Sequence, residues 1–297
     1  FLHRHPENSA MITRRVGEYF SLVKISHTIF SLPFAIIGFF LAVEKTGGFR
    51  PELLLLVFLC VFFARNAAMG FNRWADREID GKNPRTAGRE IPSRVIRPGS
   101  ALLFVAANAV LFMATAWFIN RLCFLLSPVA LIVVLGYSLT KRFTWLSHIV
   151  LGIGLSLAPV GAYLSVTGRF DLLPVIFSFS VISWVAGFDI LYSLQDMEFD
   201  RAEKLRSIPA RLGRHGALIV SAFLHAGTVA LIAYAGFLGD FGWLYWSGAT
   251  LFAALLTYEH LIVRPSDISR VNLAFATMNG MASVIFACFV VADLLVK

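Results

Sequence analysis

Nine separate runs of this chain are each long and apolar enough to cross a lipid bilayer, and no other feature limits its possible folds so severely. A crossing takes about 20 mostly apolar residues at 1.5 Å rise per residue. The runs extend from Ile25 to Val43, Leu53 to Phe71, Ala101 to Ile119, Cys123 to Leu139, Leu146 to Val166, Leu173 to Leu194, Ala217 to Phe237, Trp243 to Val263 and Val271 to Leu295. Inside lipid, backbone polar groups must be satisfied within the protein, which only helices and closed barrels achieve. No alternating barrel pattern is visible, so the sequence predicts an all-α integral membrane bundle of nine transmembrane helices. Composition agrees: 58% of residues are hydrophobic and 15% charged, against about a quarter charged in a soluble domain.

The charges then orient the bundle. Of 26 Lys and Arg residues, twenty fall on one set of alternating loops, including the run from Arg73 to Arg97 and the run from Arg201 to Arg214. Positive residues are retained in the cytoplasm, so the N-terminus and both large polar loops are expected there, with the C-terminus outside. A cytoplasmic N-terminal segment, 1–24, would precede one transmembrane domain, 25–297. The net charge of +8 reads as topology, and no nucleic-acid-binding module is discernible. Cys60, Cys123 and Cys288 lie far apart in apolar runs and suit neither a disulfide framework nor a metal site.

An internal echo points to function. Asn72-x3-Asp76-x3-Asp80 closes the second run, and Tyr192-x3-Asp196-x3-Asp200 closes the sixth. Downstream, Arg89-Glu-Ile-Pro-Ser-Arg94 is answered by Arg206-Ser-Ile-Pro-Ala-Arg211. Two such units suggest internal pseudosymmetry with both acidic ends facing one cavity. Residues four apart share a helical face, so each Asp pair can address one point. Carboxylates gathered there would repel unless a hard cation joined them, and Mg²⁺ favours one or two carboxylates plus substrate phosphates. Asn72 can add a neutral oxygen, and Arg65 lies on the same face, where an intramembrane arginine needs a partner. Tyr137 and Lys141 share a face at the end of the fourth run; they can bind the same anionic leaving group or form an interfacial anchor. Acids, Mg²⁺ and cations together suit a diphosphate. Arg85, Arg89 and Arg94 cannot be ranked by spacing. Small residues at Gly152, Gly154, Ser156, Ala158 and Gly161 are expected to serve close helix packing.

These stretches also resemble the UbiA superfamily of intramembrane aromatic prenyltransferases. The resemblance rests on Asn72-Arg-Trp-Ala-Asp-Arg-Glu-Ile-Asp80 with Asn83-Pro-Arg-Thr86, on Tyr137-Ser-Leu-Thr-Lys-Arg142, and on Tyr192-Ser-Leu-Gln-Asp-Met-Glu-Phe-Asp200 with Ser207-Ile-Pro-Ala-Arg211. Ser31-Leu-Pro-Phe-Ala35 and Arg65-Asn-Ala-Ala-Met69 look most like the 4-hydroxybenzoate polyprenyltransferase branch, which includes members assigned to the futalosine route to menaquinone. The resemblance implies a bacterial inner-membrane enzyme of quinone biosynthesis. It would move a polyprenyl group from polyprenyl diphosphate to a small aromatic acceptor, with Mg²⁺ at Asn72, Asp76, Asp80, Asp196 and Asp200. Arg65, Arg85, Tyr137 and Lys141 would meet the diphosphate. Lys24 and Asp189 are candidates for the acceptor, and each can instead be an interfacial anchor or a partner of Arg65; His27 is the one histidine worth testing. The chain departs from relatives at Arg73, where many carry a second acid, and at Lys204 and Arg206, where the nearest branch often carries Gly and His. Three alternatives remain open: a dihydroxynaphthoate-type acceptor, phosphatidyl transfer, whose motif needs an Asp-Gly absent before Ala64-Arg65, and a secondary transporter, whose sites lie nearer the midplane.

Overall fold

The computed structural model describes residues 17–19, 21–23 and 30–297, and every regular element among them is helical. In chain order these are α1 (Leu32–Thr46), α2 (Pro51–Ala75), α3 (Arg77–Lys82), α4 (Pro98–Ile119), α5 (Arg121–Gly136) with a 3₁₀ extension (Tyr137–Arg142), and α6 (Ser147–Thr167). Then follow α7 (Leu172–Ser193) with a 3₁₀ turn (Leu194–Asp196), α8 (Met197–Ala202), α9 (Ile208–Leu238), α10 (Trp243–Ile262), a π segment (Leu273–Met278) and α11 (Asn279–Val296).

Local chemistry sets these boundaries. Proline opens α1, α2, α4 and α9, where a missing N–H removes no helical bond. Asn120 caps α5 by accepting from Cys123 N–H, and Ser207 caps α9 by accepting from Ala210 N–H. Gly47 (φ 69°) and Gly168 (φ 64°) end α1 and α6 in the left-handed conformation. The seventh apolar run, expected from Ala217, belongs to a longer α9 that starts at Ile208 and kinks at Gly213 (φ 71°).

Among the described residues, seven helical stretches are long and apolar enough to cross a membrane: α2, α4, α5 with its extension, α6, α7 through α8, α9, and the π segment with α11. The other two expected runs form α1 and α10. Helix α1 has 15 residues, and the start expected near Ile25 lies outside the described residues. Helix α10 is diluted by Trp243, Tyr245, Glu259 and His260.

The helices α6, α7 and α9 pack in sequence, α4 lies on α2, and α1 touches both α6 and α11, so early and late helices meet. An aromatic core of Phe34, Phe177, Trp184, Phe252 and Phe286 joins α1 to α7, α10 and α11. Without a hydrophobic drive between helices in lipid, close contact depends on small residues. At the α1–α6 crossing a Cβ on Gly38 would lie 2.0 Å from the Pro159 carbonyl oxygen, and at the α6–α7 crossing one on Gly152 would lie 2.6 Å from that of Ile182. Gly38→Ala is therefore expected to lower stability by about 1–3 kcal/mol or more, seen as a lower unfolding temperature in detergent. Gly227→Ala, whose Cβ meets nothing within 4 Å, should show no such fall.

Candidate active site

A cavity of about 580 Å³ opens between α2, α4, α5, α6 and α7. One end is polar and lies where α2, α5 and α7 finish; the other is walled by Val57, Ile119 and Leu164. Along α2 the wall runs from Asp76 to Val57, about 28 Å at helical rise.

Both acidic motifs are built alike. The long helix breaks at the first aspartate, Asp76 (φ −94°, ψ 7°) and Asp196 (φ −99°, ψ 1°), and a six-residue helix follows each, α3 and α8. Asp80 stays one turn from Asp76 through its N–H, which donates to the Asp76 carbonyl at 2.7 Å. All four aspartates line the cavity.

They do not converge on one point, because each has a cationic partner. Asp76 Oδ1 is 3.3 Å from Arg142, which also donates to Ala75 O at 2.6 Å. Arg89 Nη1 donates to both oxygens of Asp80, at 2.7 and 2.8 Å. Arg85 grips Asp196 through Nε (2.9 Å) and Nη2 (2.5 Å), and Asn83 adds a bond at 3.0 Å. Lys141 Nζ lies 3.7 Å from Asp200 Oδ2. Arg85 and Asn83 follow the first motif and Asp196 belongs to the second, so the two motifs are tied directly. Arg85 also donates to Tyr192 Oη at 3.1 Å. Burial, reinforced by the Asp80 charge, pushes the Asp76 carboxyl above its ordinary value against the pull of Arg142. Burial would lower Arg85, but Asp196 outweighs it and holds the guanidinium above its ordinary value.

The donor chemistry suits an oxygen-seeking cation. Among the described residues no three His, Cys, Asp or Glu side chains form a group able to hold an ion. Mg²⁺ asks for less, one or two carboxylates with the remaining positions taken by water and phosphate. Asn72 Nδ2 donates to Asp76 Oδ2 at 3.2 Å, which leaves its amide oxygen beside that carboxylate. Asp200 Oδ2, Ser138 Oγ and Ser147 Oγ are buried without a hydrogen-bond partner among the described residues, and all three residues line the cavity. Unsatisfied buried polar atoms are costly, and three on residues lining one cavity point to a polar ligand.

Arg65, Asn72, Arg85, Tyr137, Lys141 and Asp189 also line this cavity. Arg65 donates to Val23 O at 3.1 Å. Asp189 Oδ2 lies 2.6 Å from His148 Nδ1, so histidine rather than arginine is its recorded partner. Lys24 and His27 lie outside the described residues. Arg73 is buried on the cavity wall and donates to Leu22 O at 3.5 Å. Lys204 adopts φ 56°, a conformation that glycine reaches without strain, while Arg206 Nη1 donates to Phe143 O at 2.6 Å. Arg94 has φ 64° and is not on the cavity wall.

His148 escaped the sequence reading, since it carries no spacing signal. Asn83, Arg89 and Arg142 stood in the quoted stretches without a role; all three partner acids, but position in a basic loop does not say which side chain turns inward. The small residues of α6 divide by face: Gly152 packs on α7 as expected, whereas Gly154, Ala158 and Gly161 line the cavity, and a Cβ on Gly161 would meet nothing within 4 Å.

Comparison with known proteins supplies the family. Residues 31–283 match the UbiA prenyltransferase family. The 4-hydroxybenzoate octaprenyltransferase of Aeromonas salmonicida (strain A449) is 30% identical over 250 residues, 84% of this chain and 86% of that protein. A UbiA homolog from Aeropyrum pernix K1, solved in the apo state, superposes with a TM-score of 0.78 at 32% identity, covering 91% of this chain and 97% of that one. A homolog from Archaeoglobus fulgidus, solved bound to DMAPP and Mg²⁺, shares the fold with a TM-score of 0.72 at 22% identity, over 94% of this chain and 100% of that one. With its apolar helices and paired acidic motifs, this chain is an integral membrane protein belonging to the UbiA prenyltransferase family.

Proposed function

We propose that this protein transfers a polyprenyl group from its diphosphate to a small phenolic acid, 4-hydroxybenzoate, at a ring carbon ortho to the hydroxyl, in quinone biosynthesis. The observation that carries this reading is a single cavity with both acid–base motifs at one end and an apolar corridor behind them. The name of the Aeromonas salmonicida relative favours 4-hydroxybenzoate over a dihydroxynaphthoate-type acceptor.

In this reading Asn72, Asp76 and Asp80 of the first motif and Asp196 and Asp200 of the second would each offer one or two oxygens to Mg²⁺, leaving its remaining positions to water and diphosphate. Bound there, the ion would supply positive charge against the diphosphate. Arg85 and Lys141, with Arg65 and Tyr137 close by, offer N–H and O–H donors to the diphosphate oxygens, placed before charge develops on them. The apolar corridor holds the prenyl chain and keeps water from the developing allylic cation. Phe30, Phe188 and Phe275 lie within 5.5 Å of one another, centre to centre, on the cavity wall, where their π faces can shield positive charge. The ring carbon then attacks, a C–C bond forms as the C–O bond breaks, diphosphate leaves with the C–O electron pair, and the ring carbon's proton passes to the released diphosphate. Asp189, and Lys24 beyond the described residues, are assigned to the acceptor.

The same reading takes residues 25–297 as one domain of nine crossings with pseudosymmetric halves. It places the 1–24 segment and the acidic ends on the cytoplasmic side of a bacterial inner membrane and the C-terminus outside. The similar breaks at Asp76 and Asp196 support the symmetry, and the loop cations support the orientation. Membranes containing the protein, given geranyl diphosphate and labelled 4-hydroxybenzoate, are expected to form a lipid-extractable product. Label that stays in the aqueous phase with 4-hydroxybenzoate but moves to lipid with a dihydroxynaphthoate would reassign the acceptor; no product from any phenol would end the reading.

A further inference from the structure

His148 sits in the first turn of α6, is 0% exposed, and bridges the cavity-lining Asp189 of α7 to the start of α9. The Ile208 N–H, at the start of α9, donates to its Nε2 at 3.4 Å. That nitrogen is thereby the acceptor, and Nδ1 carries the proton and donates to Asp189 Oδ2 at 2.6 Å. No other hydrogen-bond partner of Asp189 is recorded among the described residues. Asp189 is part of the cavity wall, next in sequence to Phe188 of the three-ring cluster and one helical turn before Tyr192.

We propose that His148 is a positioning residue for the aromatic acceptor: its Nδ1–H sets the Asp189 carboxylate so that the remaining oxygen accepts the acceptor's hydroxyl hydrogen bond. This rests on the prenyl transfer to a phenol proposed above. Neighbouring geometry explains why a histidine does this. Its ring is fixed at both nitrogens and enclosed, so the carboxylate cannot swing with it, whereas a carboxylate without that bond could rotate about its own side chain. An acceptor hydroxyl displaced by about 1 Å can lose up to about 100-fold in rate. The bond to Ile208 also links this carboxylate to the loop that follows the second acidic motif.

Two amide substitutions separate this role from a purely structural one. The Asn side chain can place an N–H where Nδ1 stands, and the longer Gln side chain reaches the place of Nε2 instead. His148→Asn is expected to keep most of the kcat/KM for the phenolic acceptor. His148→Gln is expected to lose roughly 10- to 100-fold in it, with the KM for prenyl diphosphate unchanged. Adding H148Q to Asp189→Asn should cost nothing further, since the two act through one contact. The proposal is overturned if H148Q matches the wild type, if H148N falls while H148Q holds, or if the H148Q and D189N losses multiply. A wild-type protein that prenylates no phenol would instead remove the parent reading, and this one with it.

Discussion

Asp200→Asn is expected to lower prenyl transfer by roughly 100- to 1,000-fold while leaving the folded protein intact. The side chain is 2% exposed, its Oδ2 has no hydrogen-bond partner among the described residues, and its cation, Lys141, stands off at 3.7 Å. Asparagine preserves volume and removes one negative charge, so the packing around α8 survives. In the proposed reading, what is lost is a ligand for a divalent ion and the anionic partner of Lys141 at the polar end of the cavity. Chelating metal with EDTA should reduce the wild-type rate to a comparable floor, and added Mg²⁺ should restore it; the Asp200→Asn floor should move little with either treatment. Glu198→Gln, two residues away, is the control, because Glu198 is 74% exposed and pairs with Arg201 on the surface. Equal activities of the two variants would show that Asp200 takes no part in the reaction.

The corridor behind the acids yields a second large effect, one that depends on substrate length. Gly154 and Gly161 are seven residues apart on α6 and both face the chamber. From the Ser147 end, helical rise places them about 10 and 21 Å deep. An extended isoprene unit, four carbon–carbon bonds long, advances about 5 Å. Gly161→Phe should therefore spare geranyl diphosphate and abolish transfer of chains well beyond about four units. Gly154→Phe should impose a limit near two. Competition between short and long prenyl diphosphates, read as the product ratio, measures this directly. A ratio unchanged by both substitutions would mean that the chain lies along another wall.

The contrast between the two faces of α6 also shows what a sequence can and cannot disclose. Runs of about 20 apolar residues revealed most helices to within a few positions, because lipid imposes length and backbone satisfaction together. The paired Asp-x3-Asp motifs stood out because repetition at helix ends is improbable for surface carboxylates. The breaks at Asp76 and Asp196 did not, since a change of backbone angle at one residue leaves no periodic trace. Nor did the cations: Arg85 meets an aspartate 111 residues away, and Arg142 one 66 away, contacts decided by tertiary packing. Gly154 and Gly152 look identical as letters, and only the neighbouring helix tells cavity from crossing.

Charge balance at the polar end has its own implication. Among the described residues, six cations, Arg65, Arg73, Arg85, Arg89, Lys141 and Arg142, share that wall with five carboxylates, Asp76, Asp80, Asp189, Asp196 and Asp200. Seen from beyond a Debye length, about 8 Å in physiological salt, this set of side chains, before any metal binds, exerts little net pull on an approaching anion. Selection of a headgroup is thus deferred until it is already among the side chains. In the reaction proposed above, these side chains would not gather in dissolved phosphates, and a prenyl tail partitioning from the bilayer would supply the concentration that a charged funnel provides in a soluble enzyme.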